Sequence, residues 1–156
     1  MNEREESVRF EELQSIISET LETKGAVTFT ANGSSMLPAI RGGLDRVTIE
    51  TLLETPKIGD VIFYRRKNGA YILHRVISVK DGTFTFCGDN QFIREKGIAR
   101  EQLIGIVTAV ERNGKELDLN SFSAKAYRFF LPCRRFLLRI RHYAGVVIRR
   151  LTRKEA

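Results

Sequence analysis

Short runs of β-branched and aromatic residues, separated by pairs of turn-forming residues, constrain the fold of this 156-residue chain more than any other feature. Side chains of these kinds favour extended backbone. The separating pairs, Asn68-Gly69 and Asp81-Gly82 above all, are typical of two-residue hairpin turns. The sequence therefore predicts a mainly β fold, as a coiled antiparallel sheet or barrel. The predicted strands are Ala26–Thr30, Arg46–Ile49, Val61–Tyr64, Tyr71–Val79, Thr83–Phe86 and Leu103–Val110.

Amphipathic helices are predicted at both ends of the chain. From Val8 to Thr23, apolar residues recur at steps of three and four, the period of one helix face. From Tyr127 to Leu151, large apolar residues recur at similar steps among arginines. We expect Pro132 at or just before the start of this second helix. The predicted organisation is a domain over residues 1–120, with its N-terminal helix, and a basic helical extension over residues 121–156.

The positive charge is concentrated at the C-terminal end. The net charge is +7, but residues from Ser121 onward contain ten Lys or Arg and one acidic residue, whereas residues 1–120 contain 16 basic and 18 acidic residues. Such a block indicates an interaction surface. Aromatic residues beside arginines could stack on nucleic-acid bases, but no recognition-helix unit accompanies them, so nucleic acid is not the expected partner. Two interpretations stay open: the apolar stripe packs on the β-domain, or it enters a lipid interface while arginines meet anionic head groups.

The cysteines and the chain start bear on the compartment. Cys87 and Cys133 lie far apart and form no metal-binding or redox pattern, so neither a metal nor a cofactor is expected, and a reducing compartment is favoured. The charged segment Met1–Glu6 is not followed by the apolar core of a signal peptide. We therefore expect a cytoplasmic location, with peripheral contact at the inner membrane face as an open option.

Three polar residues are suited to serine hydrolysis. Ser35 lies in a Ser-Met-Leu-Pro turn after a predicted strand, His74 lies on a strand, and Asp89 follows the next strand. A histidine with a pKa of about 6.5 can activate a serine near neutral pH, and an aspartate beside the imidazole fixes its tautomer. His74 and Asp89 stand seven positions either side of Asp81-Gly82, so a hairpin without a bulge would place both on one face. The sequence predicts a catalytic set of Ser35, His74 and Asp89.

Each of these residues also has an ordinary structural interpretation. Ser35 could be a turn or capping serine, His74 a half-buried sheet residue, and Asp89 a turn former. Cys87 could be an alternative nucleophile on the strand opposite His74, although a small buried thiol is its more ordinary role. The joint occurrence of the three polar residues is what favours catalysis.

The segments around these residues resemble the signal peptidase I superfamily, which also includes the self-cleaving domains of SOS-type repressors. Ser35–Pro38 is similar to the nucleophile box of that family, Ile58–Phe63 to its Gly-Asp-strand box, and Gly88–Asn90 to the box that closes the site. The similarity extends from about Thr28 to Val110. It implies the coiled, all-β peptidase domain of the family.

The resemblance also implies residue roles. Histidine, here His74, replaces the general-base lysine in the endoplasmic-reticulum and archaeal-like branch of the family. Ser35 would then be the nucleophile, His74 the base and Asp89 its orienting acid. Ser34, Ser35 and Met36 would supply oxyanion-hole or substrate-binding donors.

Three departures from the family pattern accompany this likeness. Gly33 stands where the lysine branch often has a helping hydroxyl. Residues 91–95 lack the second aspartate that often follows the closing box, which leaves Asp89, with Asp45 as a distant alternative. An N-terminal membrane anchor is not expected.

The resemblance implies a serine endopeptidase of the signal peptidase type. It would cleave a leader or signal segment from a precursor through an acyl-enzyme on Ser35, with the precursor bound as an extended strand beside the sheet. Two alternatives stay open. One is a catalytically inactive module that binds a peptide without cutting it. The other is a self-cleaving, repressor-like regulator, although a helix-turn-helix pattern and a cleavage linker are not evident in the sequence.

Overall fold

The chain forms one antiparallel β-sheet followed by a long helix in the computed structural model, which describes residues 16–17, 19–119 and 121–152. Seven strands pair in the order β1-β2-β7-β3-β4-β5-β6, and β8 pairs with β7. The mainly β prediction is confirmed. The strands are β1 Ala26–Thr30, β2 Arg46–Thr51, β3 Val61–Arg65, β4 Tyr71–Lys80, β5 Thr83–Cys87, β6 Glu95–Ile98, β7 Leu103–Arg112 and β8 Lys115–Glu116, and the helix is α1 Phe122–Thr152.

The sheet is open, so the barrel form of the prediction is not observed. Strands β1 and β6 lie at its two ends and each pairs with one neighbour in the described part of the chain. Strand β6 has four residues, and a strand this short can form few of the ladder hydrogen bonds that closure would require.

Apolar side chains pack on both faces of the sheet. Phe63 belongs to one buried cluster, whereas its neighbours Ile62 and Tyr64 belong to the other, because successive side chains of a strand point to opposite faces. By the same alternation, His74 on β4 lies on the face of Val76, which is the face of the second cluster. Burial on both faces explains why the sequence shows continuous apolar runs where strict alternation would mark one solvated face.

A β-bulge changes the register of the hairpin between β4 and β5. Next to the turn Lys80 pairs with Thr83, but the register shifts between Val76 and Ser78, so that farther along the hairpin Arg75 pairs with Cys87. A shift of one residue exchanges the two faces of a strand relative to its partner. The expectation that His74 and Asp89 face one another assumed a hairpin without a bulge, and that condition is not met.

The predicted N-terminal helix is described only at its end. Residues 16–17 and 19–24 are helical, and Ile17 and Leu21 are buried in the first cluster. Residues 8–15 and residue 18 of the predicted helix Val8–Thr23 lie outside the described residues.

Helix α1 begins earlier than the sequence suggested. Its first residue is Phe122, and the Ser121 hydroxyl accepts a hydrogen bond from the Ala124 N–H at 3.2 Å, as an N-cap does. Pro132 therefore lies inside the helix, which corrects its expected place at or before the start. Proline cannot donate the usual intrahelical hydrogen bond, but contacts with the domain hold the helix on both sides of it: Leu131 is buried, and Arg134 binds the domain backbone.

Candidate active site

The serine turn is anchored in the core beside β1. Ser35 is half-buried, and the next side chain, Met36, is 4% exposed and packs in the first cluster. Inside the turn, the Ile40 N–H donates to the Met36 carbonyl at 3.0 Å and the Leu37 N–H donates to the Ser34 carbonyl at 3.3 Å. The turn therefore has a fixed backbone that presents Ser35 at the surface.

An ion pair between a buried carboxylate and a half-buried arginine fixes the far side of the same turn. Arg112 donates to both carboxylate oxygens of Asp45, at 2.9 and 2.6 Å, and also to the carbonyls of Pro38 and Ala39. The hydrogen bonds from the Arg112 guanidinium lower the pKa of Asp45 despite its burial. Asp45 thus holds the turn through Arg112 and is not placed to orient an imidazole.

His74 contacts a carboxylate, and that carboxylate belongs to Glu95. The His74 side chain is almost fully buried, with Nδ1 3.2 Å from Glu95 Oε1 and 3.4 Å from the Tyr64 hydroxyl. Arg66 holds Glu95 with two hydrogen bonds, one of them 2.7 Å from Nε to Oε2. An ionised carboxylate only accepts hydrogen bonds, so Nδ1 carries the proton and Nε2 has a free lone pair.

The protonation states suit a general base. Burial lowers the pKa of His74, and the charge of Glu95 opposes this only in part. Burial raises the pKa of Glu95, but the hydrogen bonds from Arg66 and Tyr64 outweigh it, so the net shift is downward. At neutral pH the imidazole is neutral and the carboxylate is ionised.

Gly88 brings the serine turn and the histidine together. A Cβ atom at this position would lie 2.6 Å from the Ser35 carbonyl oxygen and 3.1 Å from His74 Nε2, so only glycine allows this approach. The Asn90 N–H donates to the Ser35 carbonyl at 2.7 Å, and the Asn90 amide donates to the Ser34 carbonyl at 3.2 Å. The segment Gly88–Asn90 therefore seats the serine turn beside His74 Nε2.

The Ser35 hydroxyl itself makes no hydrogen bond within the described part of the chain. It therefore makes none with His74 Nε2 in this state of the protein. Catalytic hydrogen bonds often tighten only when substrate is bound.

Backbone donors are available beside Ser35, the candidate nucleophile. Among the described residues, the N–H groups of Ser34, Ser35 and Met36 find no hydrogen-bond acceptor. Unpaired N–H groups next to an attacking hydroxyl are the usual donors to a developing oxyanion.

Asp89 does not contact His74 as the sequence predicts, and it contacts two arginines instead. Its carboxylate is fully buried and accepts two hydrogen bonds from Arg75, at 2.9 and 2.6 Å. A third, longer contact of 3.5 Å comes from Arg135. No hydrogen bond or ion pair joins Asp89 to His74 among the described residues. Asp89 holds the segment Gly88–Asn90 in place, and the role of orienting the imidazole falls to Glu95.

The sequence does not predict the role of Glu95, because the family pattern has an aspartate after the closing box. Glu95 lies on β6 opposite Phe86, within reach of the β4 histidine across the intervening strand. An acidic residue of either kind shortly after the closing box is the signal that would have found it, since glutamate and aspartate carboxylates do the same chemistry.

Helix α1 supports the site from outside. Arg134 donates to the Asp89 carbonyl and, at 2.8 Å, to the Asn90 side-chain oxygen, while Arg135 donates to the Cys87 carbonyl at 3.3 Å. A cavity of about 520 Å³ is lined by α1 and by residues 90–93, and it reaches Glu95. The helix thus fixes the segment that seats the serine turn and leaves space beside the histidine's carboxylate.

Cys87 has the contacts of a structural thiol. It is buried and donates to the carbonyls of Gln91, at 3.4 Å, and Ile93, at 3.3 Å. Burial raises its pKa, so the thiol is protonated and a poor nucleophile at neutral pH. In residues 16–17, 19–119 and 121–152, no group of three or more His, Cys, Asp or Glu side chains is arranged to hold a metal ion.

No family model matches this chain, and no curated protein matches it with significant sequence similarity. The likeness to signal peptidases therefore depends on the sequence motifs alone.

Proposed function

We propose that this protein is a serine endopeptidase of the signal peptidase type, which removes a leader or signal segment from a precursor peptide. The observation that supports it most is the setting of His74. Its Nδ1 is bound to the Glu95 carboxylate, its pKa is lowered by burial, and its Nε2 lies at Gly88, beside Ser35. A neutral imidazole with a free Nε2 next to a serine is the arrangement that serine hydrolysis needs.

In the proposed mechanism, Ser35 Oγ attacks the scissile carbonyl carbon while His74 Nε2 takes the hydroxyl proton. The imidazolium is stabilised by Glu95, and the tetrahedral oxyanion accepts hydrogen bonds from the backbone N–H groups of Ser35 and Met36. His74 then protonates the leaving amine, which departs and leaves an acyl-enzyme on Ser35. Water, deprotonated by the same imidazole, hydrolyses the ester and regenerates the serine.

The proposed substrate binds as an extended strand. Strand β1 lies at an edge of the sheet and pairs with β2 on one side. Five residues after its last residue, Thr30, comes Ser35. A peptide added to this edge would gain main-chain hydrogen bonds and run toward the nucleophile. Of the two end strands, β1 and β6, we favour β1 because the chain leads from it directly to Ser35.

The proposed location is the cytoplasm, with peripheral contact at the inner membrane face through α1. Both cysteines are free thiols, which suits a reducing compartment. In the described part of the chain, no helix is long and apolar enough to cross a bilayer.

The test uses Ser35→Ala with candidate precursor peptides and mass spectrometry. Removing the nucleophile should lower turnover by about 10⁴-fold or more, whereas Ser78→Ala, a serine on β4 away from the turn, should cleave like the wild type. A fluorophosphonate should label Ser35 in the wild type. If the protein bound a precursor but the fluorophosphonate did not label Ser35, the peptidase proposal would be wrong, and the inactive peptide-binding module would take its place.

A further inference from the structure

Helix α1 turns its apolar side to solvent. Seven large apolar side chains, between 49% and 88% exposed, form a continuous strip that we call the outer stripe. In an amphipathic helix of a globular protein such a strip normally faces the core. The outer stripe consists of Phe122, Phe129, Phe130, Phe136, Leu137, Ile140 and Tyr143. Cys133, which is also exposed, lies within it, one helical turn from Phe129 and from Phe136.

The opposite side of α1 is the one that packs on the domain. Leu131 is 3% exposed, and the Tyr127 hydroxyl is buried. Arg134 and Arg135 bind the backbone of residues 87–89. Farther along the helix, His142 contacts Phe92 with ring centroids 5.2 Å apart. Among the described residues, only Tyr143 of the outer stripe has a ring contact with the domain, at 6.5 Å from Phe92 between centroids. The docking of α1 therefore uses little of the outer stripe in the described part of the chain.

The charges beside the outer stripe indicate which kind of partner it binds. Helix α1 contains eight basic residues and no acidic residue. Exposed Arg139 and Arg141 border the stripe on its two edges, and Arg139 lies over the Tyr143 ring at 5.8 Å. An apolar strip edged by arginines is the pattern of a helix that lies in the interface of an anionic membrane, with its apolar side in the acyl region and its cations at the head groups.

A second copy of the chain is a poorer partner for the same surface. Two outer stripes packed face to face would bring two helices with eight basic residues each into contact, without an acidic residue on either helix to offset the charge. Like charges at close range repel, whereas an anionic bilayer attracts the same residues. A helix of 31 residues, about 45 Å long, can lie along a membrane surface over its whole length.

We propose that α1 is an interfacial anchor, which binds an anionic lipid surface through the outer stripe. The candidate active site then lies on the other side of the helix, about one helix diameter, or 10 Å, from the lipid. In this orientation the substrates of the proposed peptidase would be precursors held at or near the membrane surface. This statement about substrates is the only part of the inference that rests on the proposed function. Lipid binding itself needs no catalysis.

Vesicle co-sedimentation tests the anchor. The vesicles contain equal parts of phosphatidylcholine and phosphatidylglycerol, or phosphatidylcholine alone. The wild type should bind the anionic vesicles and bind them less at high salt. Phe129→Ser with Phe136→Ser should weaken binding roughly 100-fold, since each removes an aromatic side chain that the bound state would bury in the lipid. The matched control, Leu53→Ser with Ile58→Ser, removes two exposed apolar side chains outside α1 and should bind like the wild type.

Two further measurements separate the outcomes. Arg139→Gln should lower binding to anionic vesicles about fivefold, and Ser35→Ala should bind like the wild type, so that a failed anchor and a failed peptidase are told apart. Circular dichroism establishes that each variant is folded. Equal binding by the stripe variant and the wild type would overturn the anchor. A wild-type dimer in sedimentation velocity that the stripe variant dissociates would overturn it too, and assign the stripe to a second copy.

Discussion

Glu95 has three partners, Arg66, Tyr64 and His74, and the balance between Arg66 and His74 sets the strength of the proposed base. Arg66 holds both oxygens of Glu95, and His74 shares one of them. An arginine draws charge away from the carboxylate, so the imidazolium formed during attack is less stabilised than beside an unpaired carboxylate. The pKa of His74 is accordingly lowered, because burial outweighs the attraction of Glu95. The base is free of its proton at neutral pH, which favours proton uptake during attack.

Glu95→Gln tests which residue orients the histidine. Loss of the carboxylate removes the attraction that raises the pKa of His74, so the acid limb of the kcat/KM profile should move to lower pH. The rate on its plateau should fall by about 10²-fold or more, because the imidazolium is no longer stabilised. The measurement is kcat/KM for a precursor peptide between about pH 4 and pH 9, which is about 2.5 units on either side of the ordinary histidine pKa.

Asp89→Asn is the comparison for this variant. Its loss leaves Arg75 and Arg135 without their buried carboxylate partner, so we expect a lower melting temperature. The acid limb should move less than in Glu95→Gln, because the charge of Asp89 raises the pKa of His74 less than that of Glu95 does. If the acid limb of the kcat/KM profile moved in Asp89→Asn and stayed unchanged in Glu95→Gln, Asp89 would be the residue that orients His74.

At the level of elements, the sequence predicts strands well where side chains decide the structure. The run Tyr71–Val79 lies within β4, Tyr71–Lys80, because its β-branched and aromatic residues pack on both faces of the sheet. Strand β6 was not predicted, since Glu95–Ile98 contains two charged residues and a glycine and extends only because β5 offers it a partner. The bulge at Ile77 was not predictable either, because an apolar residue there satisfies either register.

The serine and the histidine of the candidate site could be predicted from the sequence, but its carboxylate could not, because the carboxylate depends on long-range pairing. Ser35 and His74 lie in local patterns that the sequence displays directly. The approach of Glu95 to His74 depends on the pairing of β6 with β5 and on the one-residue shift of the β4–β5 hairpin. Both are long-range features, and a one-residue shift exchanges which side chains share a face.

Arg134→Gln tests the support that α1 gives to the site. The arginine binds the Asp89 carbonyl and the Asn90 side chain, and Asn90 in turn seats Ser35. Its loss should let the serine turn shift relative to His74, which should lower kcat on a soluble peptide about tenfold. Exposed Arg139 offers the matched control, since Arg139→Gln removes the same charge without this contact. Equal rates for both variants would mean that α1 does not position the serine turn.

On the scale of the whole molecule, the ion pair of Asp45 and Arg112 ties distant parts of the chain together. Asp45 precedes β2, Arg112 ends β7, and the carbonyls of Pro38 and Ala39 in the serine turn complete the cluster. Removal of one member of a buried pair costs about 3 kcal/mol or more. Stability and the position of the nucleophile therefore depend on the same contact.

Asp45→Asn should lower the free energy of unfolding at pH 7 by about 3 kcal/mol. The pKa of Asp45 is lowered in the folded state, so its contribution is present above the unfolded value of about 3.9 and is lost as the pH falls through the folded pKa. The difference in free energy of unfolding between wild type and variant should therefore become smaller below about pH 4. Urea unfolding across this range measures it, with Asp81→Asn at an exposed turn as control. A gap that is constant with pH would contradict the assignment.

The two cysteines differ in access, and this gives the protein a built-in reporter. Cys87 is buried, whereas Cys133 is exposed among the aromatic residues of α1. A thiol-reactive, polarity-sensitive dye should therefore attach at one defined point without any engineered residue. Its emission would register the moment at which this side of the helix leaves water, and could be followed in real time while a precursor is being processed.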